Sequence, residues 1–241
     1  MKNNKLKVNK LFLVILTLVL YFLISYFLNL TPSSSAQASP QFLVSWQAQN
    51  YVPSWYQGKI LAVNGTPVSI SFELVDGGKI ADLSKTIIRW YVNDDLVRNE
   101  NNGLGIKNLK INIPDSNGGQ TNIRIAVVGY RGGDLIDKIL EIPVVGPEAI
   151  INAPYPNKAI KIGLSNFGVN PFFFNISDID NLLVNWSVNG QAPANSNNPY
   201  LLSLNIGSDT PQNTQINISV SVKNILKSLE FASQSIQLQV K

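Results

Sequence analysis

The sequence predicts an all-β protein: two tandem β-sandwiches preceded by one N-terminal hydrophobic helix. Three observations carry this. The stretch Thr86-Ile87-Ile88-Arg89-Trp90-Tyr91-Val92-Asn93-Asp94 is echoed by Leu182-Leu183-Val184-Asn185-Trp186-Ser187-Val188-Asn189-Gly190. From Ser39 onward, short segments rich in β-branched and aromatic residues alternate with Gly, Pro, Asn and Asp, the pattern of strands and turns. Before that, a lysine-rich start leads into an apolar run. Of the 241 residues, about two hundred follow the apolar segment, room for two domains of about a hundred each.

Residues 1–10 are polar and carry Lys2, Lys5, Lys7 and Lys10, and residues 11–28 are apolar apart from Thr17 and Ser25. This reads as a signal peptide or signal anchor over residues 1–30, with the lysines on the cytoplasmic side. Residues 31–40 form a Ser/Pro linker in which Ala36-Gln37-Ala38 before Ser39 is a small-x-small cleavage pattern. Cleavage between Ala38 and Ser39 gives a secreted protein. An uncleaved run, eighteen residues long, is enough to cross a bilayer and keeps the chain on the membrane.

The first sandwich is expected over residues 41–146. Phe42 to Gln47 reads as a strand, followed by the aromatic crossing Tyr51-Val52-Pro53-Ser54-Trp55-Tyr56-Gln57-Gly58. Val68, Ile70, Phe72 and Leu74 alternate with polar residues, the signature of a half-buried strand, and Asp76-Gly77-Gly78 closes it. Ile88, Trp90 and Val92 share one face of the next strand, which makes Trp90 a core residue. Leu109, Ile111 and Ile113 then alternate, and after residues 115–119 the chain returns through Ile123, Ile125 and Val127, a predicted hairpin. A last strand runs from Ile139 to Val144. Seven or so strands at this spacing fit an immunoglobulin-like sandwich.

The second sandwich is expected over residues 147–241, with Trp186 as its core residue. Leu202-Ser203-Leu204-Asn205-Ile206 matches Leu109-Lys110-Ile111-Asn112-Ile113, the next strand starts ten residues on at Ile216 as at Ile123, and Ile236, Leu238 and Val240 close the copy. Four matching segments in one order indicate a duplicated domain. Residues 160–164 and Phe172-Phe173-Phe174 are further strand candidates, the latter apolar on both faces. Only Val144-Val145-Gly146-Pro147 separates the copies, with no Gly/Ser padding, which predicts restricted motion between them.

On Trp-Tyr-Val-Asn-Asp, Trp-Ser-Val-Asn-Gly, Tyr-Val-Pro-Ser-Trp-Tyr-Gln-Gly and Asn-Pro-Phe-Phe-Phe, residues 41–241 resemble bacterial immunoglobulin-like or PKD-like β-sandwich modules. The likeness is specifically to the exported tandem-sandwich proteins of small-genome uncultured bacteria. The resemblance implies a stalk, adhesin or envelope scaffold, and a partner that is an envelope protein or a glycan. The chain lacks the paired cysteines of antibody-type domains and the Gly-Asp-Gly run of PKD modules.

Composition narrows the chemistry. With neither cysteine nor histidine, the chain has no disulfide, no thiolate nucleophile, no Cys/His zinc site and no imidazole base. Four of the nineteen basic residues lie before the apolar run, leaving fifteen against fifteen acidic ones beyond it. Such a neutral ectodomain has no electrostatic footprint for nucleic acid. No cofactor is indicated.

Three candidate sites remain. Tyr51, Trp55 and Tyr56, with Trp46, could form a platform for a glycan or a partner protein, or instead plug the sandwich edge. Asp178 and Asp180, with Asp94-Asp95 taken as the matching end of the other strand, offer oxygen ligands to calcium, or are solvated turn residues. Glu73, Asp76 and Asp82 are the nearest approach to a carboxylate pair for hydrolysis, the least favoured reading. The sequons at Asn64, Asn175, Asn185 and Asn217 fit glycosylation on pattern alone.

Overall fold

A computed structural model describes residues 16–25, 39–100, 104–115, 119–153, 155, 157–193 and 197–241. Met1–Ser39 and Pro40–Lys241 are separate compact units. In the first, helix α1 covers residues 16–25, about 15 Å of helical rise. Among the described residues no helix is long and apolar enough to cross a membrane. The remainder of the apolar run, the four early lysines and Ala38 lie outside the described residues, while Ser39 is exposed.

The second unit is built from strands. β1 (Gln41–Ala48), β2 (Pro67–Asp76), β3 (Lys79–Ile80) and β6 (Asn108–Asn112) make one sheet, with β3 and β6 sharing one edge of β2. The facing sheet runs β5-β4-β7-β8 through β5 (Asp95–Glu100), β4 (Ile87–Val92), β7 (Gln120–Tyr130) and β8 (Asp134–Pro143). Period-2 patterning turns Ile70, Phe72 and Leu74 of the first sheet toward Ile88, Trp90, Ile123 and Ile125 of the second, and all are buried in one core.

Strands β9 (Glu148–Asn152), β10 (Ala159–Ile160), β11 (Gly163–Phe172), β12 (Leu182–Val188), β13 (Leu201–Ile206), β14 (Gln215–Asn224) and β15 (Phe231–Val240) repeat the plan. Their sheets are β13-β11-β9 and β10-β15-β14-β12, closed over a second core that includes Phe167, Val184, Ile218 and Val222. Both sandwiches place a tryptophan strand beside a long central strand, with the topology of an immunoglobulin-like fold. The parallel pairing of β10 with the end of β15 is matched in the first sandwich by the parallel bridge Ala62 to Val144.

The repeat extends to individual hydrogen bonds. Asn93 and Asn189 both sit at positive φ, 48° and 49°, where Asn is among the residues that tolerate a left-handed turn. The Asn93 N–H donates to Asn122 O and its Oδ1 accepts from the Asn122 N–H, and Asn189 makes the same pair with Asn217. The Trp90 indole donates to Ile106 O at 3.3 Å and the Trp186 indole to Pro199 O at 2.9 Å, each three residues before the leucine (Leu109, Leu202) that packs from β6 or β13.

The structure departs from the sequence expectation in three places. The predicted hairpin of residues 109–127 does not exist, because β6 pairs with β2 and β7 with β4 and β8, in opposite sheets. Alternation is the same for strands paired side by side and for strands facing across a core. The equivalence of Ile123 with Ile216 shifts by two residues, since Val92 pairs with Ile123 and Val188 with Ile218; an even shift preserves the buried face. Residues 160–164 divide between β10 and β11, which belong to different sheets. Trp90 itself is a core residue as expected, packed edge-on against Phe72 at 5.5 Å.

Candidate functional site

The aromatic crossing lies where the two sandwiches meet. After β1, Asn50 is buried and its Nδ2 donates to Leu61 O at 2.7 Å, which pins both ends of the crossing. Tyr51 then pairs through its backbone with the far end of β11: its N–H donates to Phe174 O and its C=O accepts from the Phe173 N–H, both at 2.8 Å. Phe173 has φ of 61°, a costly conformation for a bulky residue, held here by that pairing and by packing.

A turn closed by Tyr56 N–H to Pro53 O brings Tyr56 onto the second sandwich, its ring edge-on to Phe172 at 5.4 Å and to Phe173 at 6.1 Å. Gly58 permits this, because a Cβ there would lie 2.4 Å from the tyrosine oxygen. Val63, Phe172 and Phe173 are buried in a small third core, with Val52, Tyr56, Leu61 and Val145 packed around it. Trp55 touches Phe172 edge-on at 5.9 Å yet remains 62% exposed. Trp46 lies on β1, capped by Lys59, whose Nζ sits 3.9 Å from the ring centroid. The four aromatics therefore do not form one open face: Tyr51 and Tyr56 belong to the joint, and Trp55 alone among them projects largely into solvent.

A polar network lies beside the apolar contact. Thr66, fully buried, accepts from the Val63 N–H and donates to Asn175 Oδ1 at 2.9 Å. Asn175 Nδ2 donates to Asn64 O at 2.9 Å and to Glu230 Oε2 at 3.0 Å, and its N–H donates to Glu230 Oε1. Buried Asn224 donates from Nδ2 to the same carboxylate at 3.3 Å. Next to this network is a cleft of about 700 Å³ walled by Val63–Gly65, Val145–Pro147 and the β14–β15 loop, where Leu226 and Leu229 are 68% and 93% exposed. Glu230 was not singled out in the sequence, and Asn175 and Thr66 entered only as members of glycosylation sequons. The signal that was present is the fully apolar Phe172-Phe173-Phe174, where Phe172 and Phe173 serve the joint and Phe174 the second core.

The remaining candidates have local structural roles. Asp178 caps the 3-10 turn Ile179–Asn181, its Oδ1 accepting from the Asp180 N–H at 3.0 Å. This pair precedes β12, whereas Asp94-Asp95 follows β4, so the two acidic pairs sit at opposite ends of their strands; Asp94 corresponds to Gly190. Glu73 pairs with Lys107 at 2.6 Å. Asp76 accepts from the Tyr130 hydroxyl and from Arg131, and the hydrogen bond to Asp76 pushes the Tyr130 pKa up. Asp82 accepts from the Ser84 N–H at 2.9 Å, which lowers its pKa. Burial pushes Tyr51 up, and takes Tyr200, whose hydroxyl donates to Ile179 O at 2.7 Å, to about 12. Of the sequon asparagines, Asn175 is held in the joint, while Asn185 and Asn217 are exposed on their strands.

No protein-family model and no curated protein sequence matches the chain. Among solved structures it is similar to the three N-terminal domains of the bacteriophage RB49 Highly Immunogenic Outer Capsid protein, at 14% identity over 83% of this chain and 59% of that one, TM-score 0.42. It is also similar to the N-terminal four Ig domains of Dscam1 isoform 6.9, at 15% identity, 83% and 65% coverage and TM-score 0.30. A third likeness is to SGBP-B of the Bacteroides ovatus mixed-linkage glucan utilization locus, at 11% identity, 82% and 47% coverage and TM-score 0.24. The chain thus spans less than two thirds of each of these structures. At such identities and TM-scores it is the strand topology described above, and not these likenesses, that defines the fold.

Proposed function

We propose that the chain is a non-catalytic, exported cell-envelope protein whose two immunoglobulin-like sandwiches act as a structural or protein-interaction module. The observation that carries this reading is the joint: an apolar cluster and a buried polar network tie the sandwiches together, as suits a spacer that must hold surfaces at a set separation. The carboxylates offered for hydrolysis support it from the other side, since Glu73, Asp76 and Asp82 each have a structural partner. The N-terminal segment determines whether the module is membrane-tethered or released. A membrane-fraction pull-down with the full chain tests the reading: a recurrent envelope partner supports it, and recovery of the chain only in the cytosol overturns it. N-terminal sequencing of the same sample decides cleavage after Ala38.

A second reading, a glycan- or peptide-binding adhesin-like module, is favoured by one observation: Trp55 is exposed beside the packed Tyr56. A glycan array with the wild type and Trp55→Ala separates the two. Binding lost in the variant selects the adhesin, and no binding by either selects the structural module.

A further inference from the structure

The sheet of β1, β2 and β6 carries a trough on the face turned away from the core. Period-2 alternation puts Ser69 and Ser71 of the central strand β2 on that face, while Ile70 and Phe72 are buried in the core. The register sets Gln47 and Lys110 on either side of Ser69, and Ser45 and Asn108 on either side of Ser71. Small side chains on the middle strand, with longer ones beside them, leave a depression along β2. Three clefts of about 320, 640 and 230 Å³ follow it, the first two sharing Ser71 and Asn108 in their walls and the last two Ser69 and Lys110. From Pro67 to Glu73 the floor is about 20 Å of strand.

The trough is positively charged. Among the described residues it is lined by Lys59, Lys107 and Lys110 against one carboxylate, Glu73, which Lys107 neutralises at 2.6 Å. Lys59 is fixed at the margin, its Nζ donating to Trp46 O and lying 3.9 Å from the Trp46 ring centroid. Lys110 is exposed beside the floor. The fold does not require this charge: in the second sandwich β9, β11 and β13 carry neither lysine nor arginine, and Ser203 stands where the first has Lys110.

We propose that this trough binds an extended acidic polysaccharide, a chain of sugars bearing carboxylates, laid along β2. Its hydroxyl, amide and ammonium groups are partners for sugar hydroxyls and for widely spaced carboxylates. A peptide recognised through its backbone needs a free strand edge, and both edges of β2 are filled here, by β1 and by β6. A nucleic-acid strand brings a phosphate about every 3.4 Å, a denser charge than these lysines match. The proposal goes beyond the adhesin-like reading, whose glycan contact is Trp55. The two fail separately, because Trp55→Ala removes that contact and leaves the trough intact.

Titration of the full chain with polygalacturonate, a polymer of uronic acid, tests it, beside dextran as a neutral glycan and polyaspartate as an acidic peptide. Polygalacturonate should bind, less tightly as salt is raised, and the other two should bind about tenfold more weakly or not at all. Lys110→Glu, which reverses a charge at the middle of the trough, and Ser69→Tyr, which fills its floor and leaves the charge alone, should each weaken binding about tenfold. Lys223→Glu, at an exposed lysine of the second sandwich, and Trp55→Ala should leave it unchanged, and thermal melting checks that every variant is folded. The proposal is overturned by a wild type that does not bind polygalacturonate, by dextran or polyaspartate binding as tightly, by indifference to both trough variants, or by an equal loss in Lys223→Glu.

Discussion

The first sandwich seals its tryptophan and the second does not. Trp90 is fully buried, with Phe72 across the core and β5 covering its strand; Trp186 has the same turn and the same indole hydrogen bond but is half-buried against the rim of its core. Where β2 offers Phe72, the matching position of β11 is Val169, and the large ring sits one pair along at Phe167, against Tyr155. Where Asp95 to Glu100 continue as a strand, Gln191-Ala192-Pro193 does not. Two copies of one plan thus differ in how far a single strand edge is closed, and that closure sets how much each tryptophan is worth.

The largest expected effect is Trp90→Ala, at about 3–5 kcal/mol, enough to unfold a marginal domain. Trp186→Ala should cost about half as much, since less surface leaves water there. Urea denaturation of both variants checks the difference, and equal losses would erase the distinction. Next comes Asn175→Ala, which leaves Glu230 and Thr66 short of buried partners and should cost about 1–3 kcal/mol. NMR relaxation should then show the sandwiches tumbling more independently than in the wild type.

A smaller pair tests the likeness rather than the difference. Asn93→Ala and Asn189→Ala each lose a turn hydrogen bond and force a less tolerant residue to positive φ, and each should cost about 1 kcal/mol. Costs that differ widely would mean that the turns are not equivalent. Smallest in scope is an alkaline effect in the second sandwich. Tyr200 holds its proton more tightly folded, with its pKa at about 12 against an ordinary 10.0, so its contribution is complete below pH 10 and is lost as pH rises toward 12. Urea midpoints should fall across that window, and Tyr200→Phe should flatten part of the fall.

Much of the fold was legible because period-2 alternation and the repeated Trp-x-Val-Asn motif are local. Val68 to Leu74, the Trp90 strand and Ile236 to Val240 announce their buried faces without reference to anything distant. The joint was legible only as an anomaly, in Phe172-Phe173-Phe174, because Tyr51 and Tyr56 are separated from their partners there by more than a hundred residues. Glu230 had no signal, being a polar residue in a chain rich in such residues, and the sequon at Asn175 pointed to glycosylation and not to the joint.

What the sequence by itself determined is thus the set of strands, their inward faces and the exclusion of cysteine and histidine chemistry, all of which follow from side-chain type and spacing. Which strands pair, that residues 109–127 cross between sheets, that the aromatic crossing docks on the second sandwich and that β12, among the described residues, pairs with β14 alone were decided by tertiary structure. Each of these depends on backbone hydrogen bonds between segments far apart in the chain, and backbone groups are the same in every residue but proline.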